Sequence, residues 1–494
     1  MCNWIQAEFR TVKLGDVRRS KRLKTVAEGM WEAPGASQRE ASKDWTQAMG
    51  SYRLWKSDAV TAEAVLSAHR DQVRQRLQGH RMLLHIQDTT ELDYTRHKTL
   101  KGTGPLSEAS RRGLFDHSEY LLQEDGVPLG LWDCLLWARS DQEQGQSHLR
   151  KQQPIEKKES FRWLQAYRRA CELCGLCPKQ LVISLSDRES DIYEIFEEWW
   201  RRQRARLAAA HWIIRSKHDR KITPAPQDLE QHTQLRAAVT AAPLLGQTHL
   251  EIRTKEQCKK VHGNRRLTLR KARTASLEIR ACALELKPPR RAEGQLALSP
   301  IKLWVVMAKE MSPPADEEPV EWILLTDFQV RTLKKALQIL KLYAWRWQIE
   351  VFHKILKSGC RVEDHPPETV ERLKPRLAVL MIVAWRIHYV TLLGRECPDL
   401  SAEVVFEEWE WKPLALLFGD KQGPLRTPTL AQMIAWIARL GGHLGRKSDG
   451  PPGPQTMWKG MAKMFAHAEI WKALQSRVQN RPHQAAQEIL DLLL

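Results

Sequence analysis

The chain has 494 residues, is 42% hydrophobic and carries a formal net charge of +19 at pH 7. That length suits roughly three domains of about 150 residues, each with a sizeable core, and that charge favours a polyanionic partner. Nine cysteines, an odd number, argue against a disulfide framework. No uninterrupted run of 18 apolar residues occurs, and the opening Met1-Cys-Asn-Trp-Ile-Gln-Ala-Glu8 lacks a basic stretch followed by an apolar one. A soluble, cytoplasmic chain with no membrane partner is therefore expected.

Residues 1 to 75 read as a polar, helical domain. Arg18, Arg19, Lys21, Arg22 and Lys24 are grouped early, Tyr52, Arg53 and Lys56 follow, and residues 1 to 80 carry 14 basic against 9 acidic side chains. Such a surface is either a solvated helix face or one that contacts phosphates and reaches base edges.

From about 80 to 200 the pattern is strand, hairpin, helix, strand. Met82-Leu-Leu-His-Ile-Gln-Asp88-Thr-Thr and Leu181-Val-Ile-Ser-Leu-Ser-Asp187-Arg-Glu-Ser-Asp191 are apolar runs ending in an acid. Both read as buried strands with a carboxylate at the C-terminal end, where a rigid element projects it into a crevice as two-metal chemistry requires. Asp125-Gly126 lies between apolar segments and predicts a hairpin turn. Residues 160 to 173 read as a helix. At its end Cys171, Cys174 and Cys177 have CxxC spacing twice over, but zinc takes four ligands, or three and an open position; ordinary helix-end thiols are expected.

Residues 211 to about 328 hold strand-like runs, at His211-Trp-Ile-Ile-Arg215, Ser276-Leu-Glu-Ile-Arg, Lys302-Leu-Trp-Val-Val and Trp322-Ile-Leu-Leu-Thr. With 15 basic against 6 acidic residues, the stretch 211 to 280 holds nearly half the excess charge, so this insertion is expected to face a polyanion. A helix is predicted from near Val330, with Leu333, Leu337, Leu340, Trp347, Val351 and Ile355 at helical period. On it Tyr343, Arg346, Glu350 and Lys357 are 3, 4 and 7 residues apart, which on one continuous helix makes a stripe about 21 Å long. Cations and a phenol there suit phosphates, and a carboxylate among them suits a metal ion. A strongly apolar helix spans 375 to 394, and Gly423-Pro424, Gly441-Gly442 and Gly450-Pro-Pro-Gly-Pro454 divide the remainder into helical pieces.

Asp88-Thr-Thr, Asp187-Arg-Glu-Ser-Asp191 and the Tyr-x2-Arg-x3-Glu-x6-Lys pattern at 343, 346, 350 and 357, in this order, resemble the signature of DDE transposases of the insertion-sequence-four family. The resemblance runs from Leu14-Gly-Asp-Val-Arg-Arg19 to Gly441-Gly-His-Leu-Gly-Arg-Lys-Ser-Asp-Gly450. It implies an α/β fold, with a ribonuclease-H-like catalytic core over 76–374 and a β-rich insertion at about 205–329. A helical DNA-end-binding domain over 1–75 and a helical dimerisation domain over 375–494 flank that core. It implies Asp88, Asp187 and Glu350 as ligands of two Mg²⁺ ions, with Mn²⁺ as a substitute; spacing alone leaves Glu91, Asp93, Glu189 and Asp191 as rivals. Tyr343, Arg346, Lys357, Arg215 and Lys217 are the implied phosphate contacts and Trp322 the implied stacking surface for an extruded base. Arg18, Arg19, Arg22, Tyr52 and Arg53 are the expected end-binding residues. The activity implied is cut-and-paste transposition on double-stranded DNA by a homodimer acting through a hairpin intermediate. A DNA-binding relative without transposition and a stand-alone metal-dependent nuclease are the alternatives.

Overall fold

The structure, a computed structural model, describes residues 3–108, 110–141, 153–224, 232–252, 255–260, 264–270, 272–289, 298–315, 317–421, 423–446 and 449–480. Parts of the basic insertion and the end of the expected C-terminal domain thus lie outside the described residues. The fold is mixed α/β. The chain divides into two compact units, one of Met1–His80, Thr89–Gln144 and Gln348–Leu494, the other of Arg81–Asp88 and Gly145–Trp347.

The first unit opens with α1 (Trp4–Glu8), α2 (Val17–Glu32), α3 (Trp45–Trp55) and α4 (Ala62–Arg76). Asp16, Asp44 and Thr61 start the last three by accepting backbone N–H groups in the first turn, as short polar side chains do at N-caps. Strand β1 (Met82–Asp93) crosses from the second unit into the first. There β3 (Arg112–Gln123) lies between β1 and β4 (Pro128–Trp137), with the short β2 (Gly104–Pro105) on its far end. The β3–β4 pair is antiparallel, closed at Asp125-Gly126 where Gly126 takes φ 90°, so the predicted hairpin is present.

One buried node ties the N-terminal helices to the rest of this unit. Glu8 accepts from His69 Nδ1 at 2.5 Å and from Arg76 at 2.9 Å, while His69 Nε2 accepts from the Leu131 N–H at 3.0 Å. Two opposite demands on one imidazole fix a neutral tautomer, and burial holds the His69 pKa below its ordinary value. The Arg76 guanidinium lies 4.4 Å from the ring of Trp385, whose indole N–H donates to Pro128 O.

Trp385 belongs to α10 (Val370–Glu396), which length and apolar composition would allow to cross a membrane, yet 94% of its most apolar stretch is buried inside the protein. A helix apolar on all sides is a core helix when protein surrounds it. Helices α12 (Leu430–Leu440) and α13 (Pro454–Asn480) pack on it, and α11 (Glu408–Phe418) packs on those two. The backbones of α12 and α13 approach so closely that a β-carbon on Gly460 would collide with Ile437 O.

In the second unit β1 pairs in parallel with β5 (Leu181–Ser186), and β5 in parallel with β6 (His211–Arg215). The sheet continues antiparallel through β13 (Glu321–Thr326), β12 (Ile301–Glu310) and β11 (Arg273–Leu286), the last also pairing with β7 (Ile222–Thr223) and β8 (Leu244–Ile252). Strands β9 (Lys255–Lys260) and β10 (Asn264–Arg270) make a separate hairpin. Helices α5 (Phe161–Leu176) and α6 (Tyr193–Arg204) flank β5 in sequence, and α7 (Leu235–Ala241) precedes β8. Cys171 and Cys174 lie on the last turns of α5 and Cys177 caps it, all three as free thiols.

Two expectations about local structure fail. Asp88 does not end its strand, because the β-branched Thr89 and Thr90 carry β1 on to Asp93. Nor is the 343–357 stripe one helix. Helix α8 (Leu333–Ala344), capped by Thr332 rather than beginning near Val330, tightens at its end through Trp345 N–H to Leu342 O and Arg346 N–H to Tyr343 O. Helix α9 (Trp347–Lys354) follows and widens into a π-helical turn, Ile355–Gly359, with Cys360 N–H on Ile355 O. Bonds to i−3 and then i−5 shift the angular phase, so spacings of 3, 4 and 7 no longer define a face.

Glu410, buried in α11, accepts the Glu407 N–H at 2.7 Å as half of a capping box. Burial pushes its pKa up to about 7 from 4.5, with the Glu407 charge adding and Arg386 opposing. The folded state therefore favours the protonated acid, a contribution complete below about 4.5 and lost as pH rises through about 7. Glu410→Gln, which keeps the acceptor for Glu407, is expected to be more stable than wild type at pH 8 by roughly 3 kcal/mol in urea unfolding. The difference should shrink as the pH falls toward 5.

Candidate active site

The parallel register of β1 on β5 aligns Leu84 with Ile183 and Ile86 with Leu185. Carried two residues beyond the paired stretch, the same register would bring Asp88 opposite Asp187, the residue that follows β5. Neighbouring strands lie about 4.8 Å apart, and level residues of a parallel pair project to the same side. Strand β5 is almost wholly buried, as a parallel strand covered on both faces must be. Asp187 stands at its end, where one carboxylate oxygen accepts the Glu189 N–H at 2.8 Å and starts the 3-10 turn Arg188–Ser190.

Arg346, from the tightened end of α8, pairs with Asp88 at 3.3 Å, both side chains largely enclosed. Its guanidinium carbon lies 6.0 Å from the ring of Tyr343. That ring meets Trp322 edge-on, centroids 5.4 Å apart, and Trp322 at the start of β13 is only partly buried. Burial first of all pushes the Tyr343 phenol up to about 12, against the pull of Arg346 and Arg215, so it stays a hydrogen-bond donor at neutral pH.

Arg215 ends β6 beside β13 and donates to Glu321 O at 3.2 Å. Its pKa is held below the ordinary arginine value, by burial and then by the charges of Arg188 and Arg346, while Tyr343 and Asp187 act the other way. Lys217 is exposed, and its backbone N–H donates to Asp191 at 2.8 Å. Asp88, Asp187, Arg215, Lys217, Trp322, Tyr343 and Arg346 all lie in the second unit. Glu350, on α9, and Lys357, in the π turn, lie in the first. There Lys357 is 3.8 Å from Glu363, whose carboxylate also accepts the Asp93 N–H at 2.8 Å.

The rival acids have structural partners. Arg111 binds Glu91 and Asp93, each at 3.0 Å, and Glu189 pairs with Arg162 at 2.9 Å. Asp191 is buried and accepts from the Lys217 and His218 N–H groups and from Arg220 at 2.6 and 2.8 Å. Its role as a clamp on the Ser216–Arg220 loop had no sequence signal apart from its place in the Asp187–Asp191 block. Among the described residues no group of three His, Cys, Asp or Glu converges closely enough to hold a metal. Asp88 and Asp187 nonetheless carry hard oxygen donors of the kind Mg²⁺ and Mn²⁺ prefer.

In the first unit Arg18, Lys21 and Arg22 of α2 line a surface cavity of about 320 Å³ with Thr46 and Gln47 from α3. Arg18 also pairs with Asp16 at 3.1 Å, and Arg19 instead donates to Leu14 O. Tyr52 and Arg53 are exposed on α3.

Residues 1–60, which include α1 to α3, match the transposase DNA-binding family, and residues 382–478 match the family described as transposase Tn5 dimerisation domain. Both ends of this chain are similar to transposase domains. The matches support a DNA-binding, dimerising transposase.

Asp191→Ala would strand Arg220 and release two backbone amides. It is expected to cost about 3–5 kcal/mol in urea unfolding, the usual loss when one partner of a buried ion pair is removed. Faster hydrogen exchange at the Lys217 and His218 amides should accompany that loss.

Proposed function

We propose that the chain is a cut-and-paste DNA transposase of the insertion-sequence-four type, which binds transposon ends, cleaves them through a hairpin intermediate and joins the 3′ ends to target DNA. The observation that carries this reading is the gathering of Asp88, Arg346, Tyr343, Trp322 and Arg215 in one unit of a chain whose ends match transposase domains. The strand order, with β4 on β3, β3 on β1, β1 parallel to β5 and β5 parallel to β6, supports a ribonuclease-H-like core.

Asp88, Asp187 and Glu350 would hold two Mg²⁺ or Mn²⁺ ions, which supply an activated oxygen nucleophile and stabilise the leaving oxygen. The rest falls to the chain's own groups. Arg346 and Arg215 attract a phosphate into a partly enclosed site, where an ionic hydrogen bond is stronger than in water. The Tyr343 hydroxyl, kept protonated, can donate to the same backbone. Trp322, braced edge-on by Tyr343, offers a ring face on which an extruded base can stack. The arginine-lined cavity on α2 and α3 suits end recognition, and the C-terminal region suits pairing of two copies in a synapse.

Asp88→Asn, Asp187→Asn and Glu350→Gln are each expected to abolish nicking in Mg²⁺ while leaving gel-shift affinity nearly intact, since affinity rests on many phosphate contacts. Near wild-type nicking by any of the three removes that residue from the ligand set.

Trp322→Ala should separate two steps. Stacking on an aromatic ring is worth roughly 1 to 3 kcal/mol, which corresponds to about a 5- to 150-fold slower hairpin step. The first nick needs no extruded base. The variant should accumulate nicked DNA, and a pre-nicked substrate should not rescue it. Equal loss of nicking and hairpin would mark Trp322 as a packing residue instead.

A further inference from the structure

Within the Asp187–Asp191 block each neighbour of Arg188 has a partner. Asp187 caps the 3-10 turn, Glu189 pairs with Arg162, Ser190 bonds Ser186, and Asp191 clamps Arg220. Arg188 is exposed, and its guanidinium makes no hydrogen bond or ion pair among the described residues. It stands in the turn directly after Asp187, beside the end of β6 that carries Arg215. After burial, its charge is the largest influence holding Arg215 below the ordinary arginine value, and Arg346 acts in the same sense. Arg188 and Arg346 each act on Arg215 as like charges, offset in part by Asp187, so this end of β6 favours a further anion. The nearby carboxylates do not fill that role for Arg188, since Asp88 pairs with Arg346 and Glu189 with Arg162.

We propose that Arg188 contacts the DNA strand held at this site, donating charge-assisted hydrogen bonds to a backbone phosphate next to the reacting one. The inference rests on the transposase reading. A planar guanidinium matches phosphate oxygens in pairs, which an ammonium cannot do, so Arg188 contributes geometry as well as charge.

The test uses the full chain and synthetic duplexes of the DNA flanking its coding region, unmodified or with one methylphosphonate at each position near the cleavage point. R188Q is expected to cleave about tenfold more slowly or worse, as befits loss of a hydrogen bond to a charged group. Its log–log salt slope for binding should fall by about one unit. R188K should recover the slope but not the full rate. One methylphosphonate position should weaken wild type and leave R188Q no worse. An R188Q chain with wild-type slope and wild-type methylphosphonate profile overturns the contact, as does one that only melts earlier. Wild-type protein that cleaves none of these duplexes overturns the transposase reading, and the Arg188 contact with it.

Discussion

The parallel pairing of β1 with β5 is the constraint on which the site depends. A one-residue slip would turn Asp88 to the other face of the sheet and separate it from Asp187, because side chains alternate along a strand. The slip is opposed by the buried residues of both strands, Leu83, Leu84, Ile86, Val182, Ile183 and Leu185, all almost fully enclosed. Gln87 and Ser184, both buried, add a hydrogen bond at 3.3 Å between the strands. Burial energy in the core thus fixes where two charges stand at its rim.

Around that pair the protein distributes charge unevenly. The acids that could compete are each joined to a structural arginine: Arg111 serves Glu91 and Asp93, Arg162 serves Glu189, and Arg220 serves Asp191. The pairs of Glu91, Asp93 and Glu189 lie at the surface and contribute little net stability, but with the buried Asp191–Arg220 pair they leave the local field to other residues. Arg188, Arg215 and Arg346 then make that field positive beside Asp88 and Asp187. A positive field around two carboxylates suits a substrate that is itself a polyanion.

What the sequence made legible follows its periodicities. Runs of β-branched residues marked β5, β6, β11, β12 and β13, the Asp125-Gly126 turn marked the β3–β4 hairpin, and continuous apolarity marked α10. Period counting was blind where hydrogen bonding changes step. Tyr343 and Arg346 do meet, but the i−3 bonds at Trp345 and Arg346 and the i−5 bond at Cys360 break the stripe that spacing predicts from 343 to 357. Asp88 misled in the other direction, because the apolar run ends there while the β-branched Thr89 and Thr90 carry the strand on. Arg188 was invisible for a different reason: its significance lies in the company of Arg215, 27 positions along the sequence.

The tightened end of α8 is where the charged and aromatic groups of the site meet. An arginine in mid-helix keeps its stem within the ridge of its neighbours. At the tightened junction Arg346 reaches back to Asp88 while still lying over Tyr343. Tyr343 in turn is held by burial and by the edge of Trp322. Carboxylate, guanidinium, phenol and indole therefore form one connected series, in which displacing any member moves the next. Local geometry that defeats a count of residues is here what joins the charged end of the site to its aromatic end.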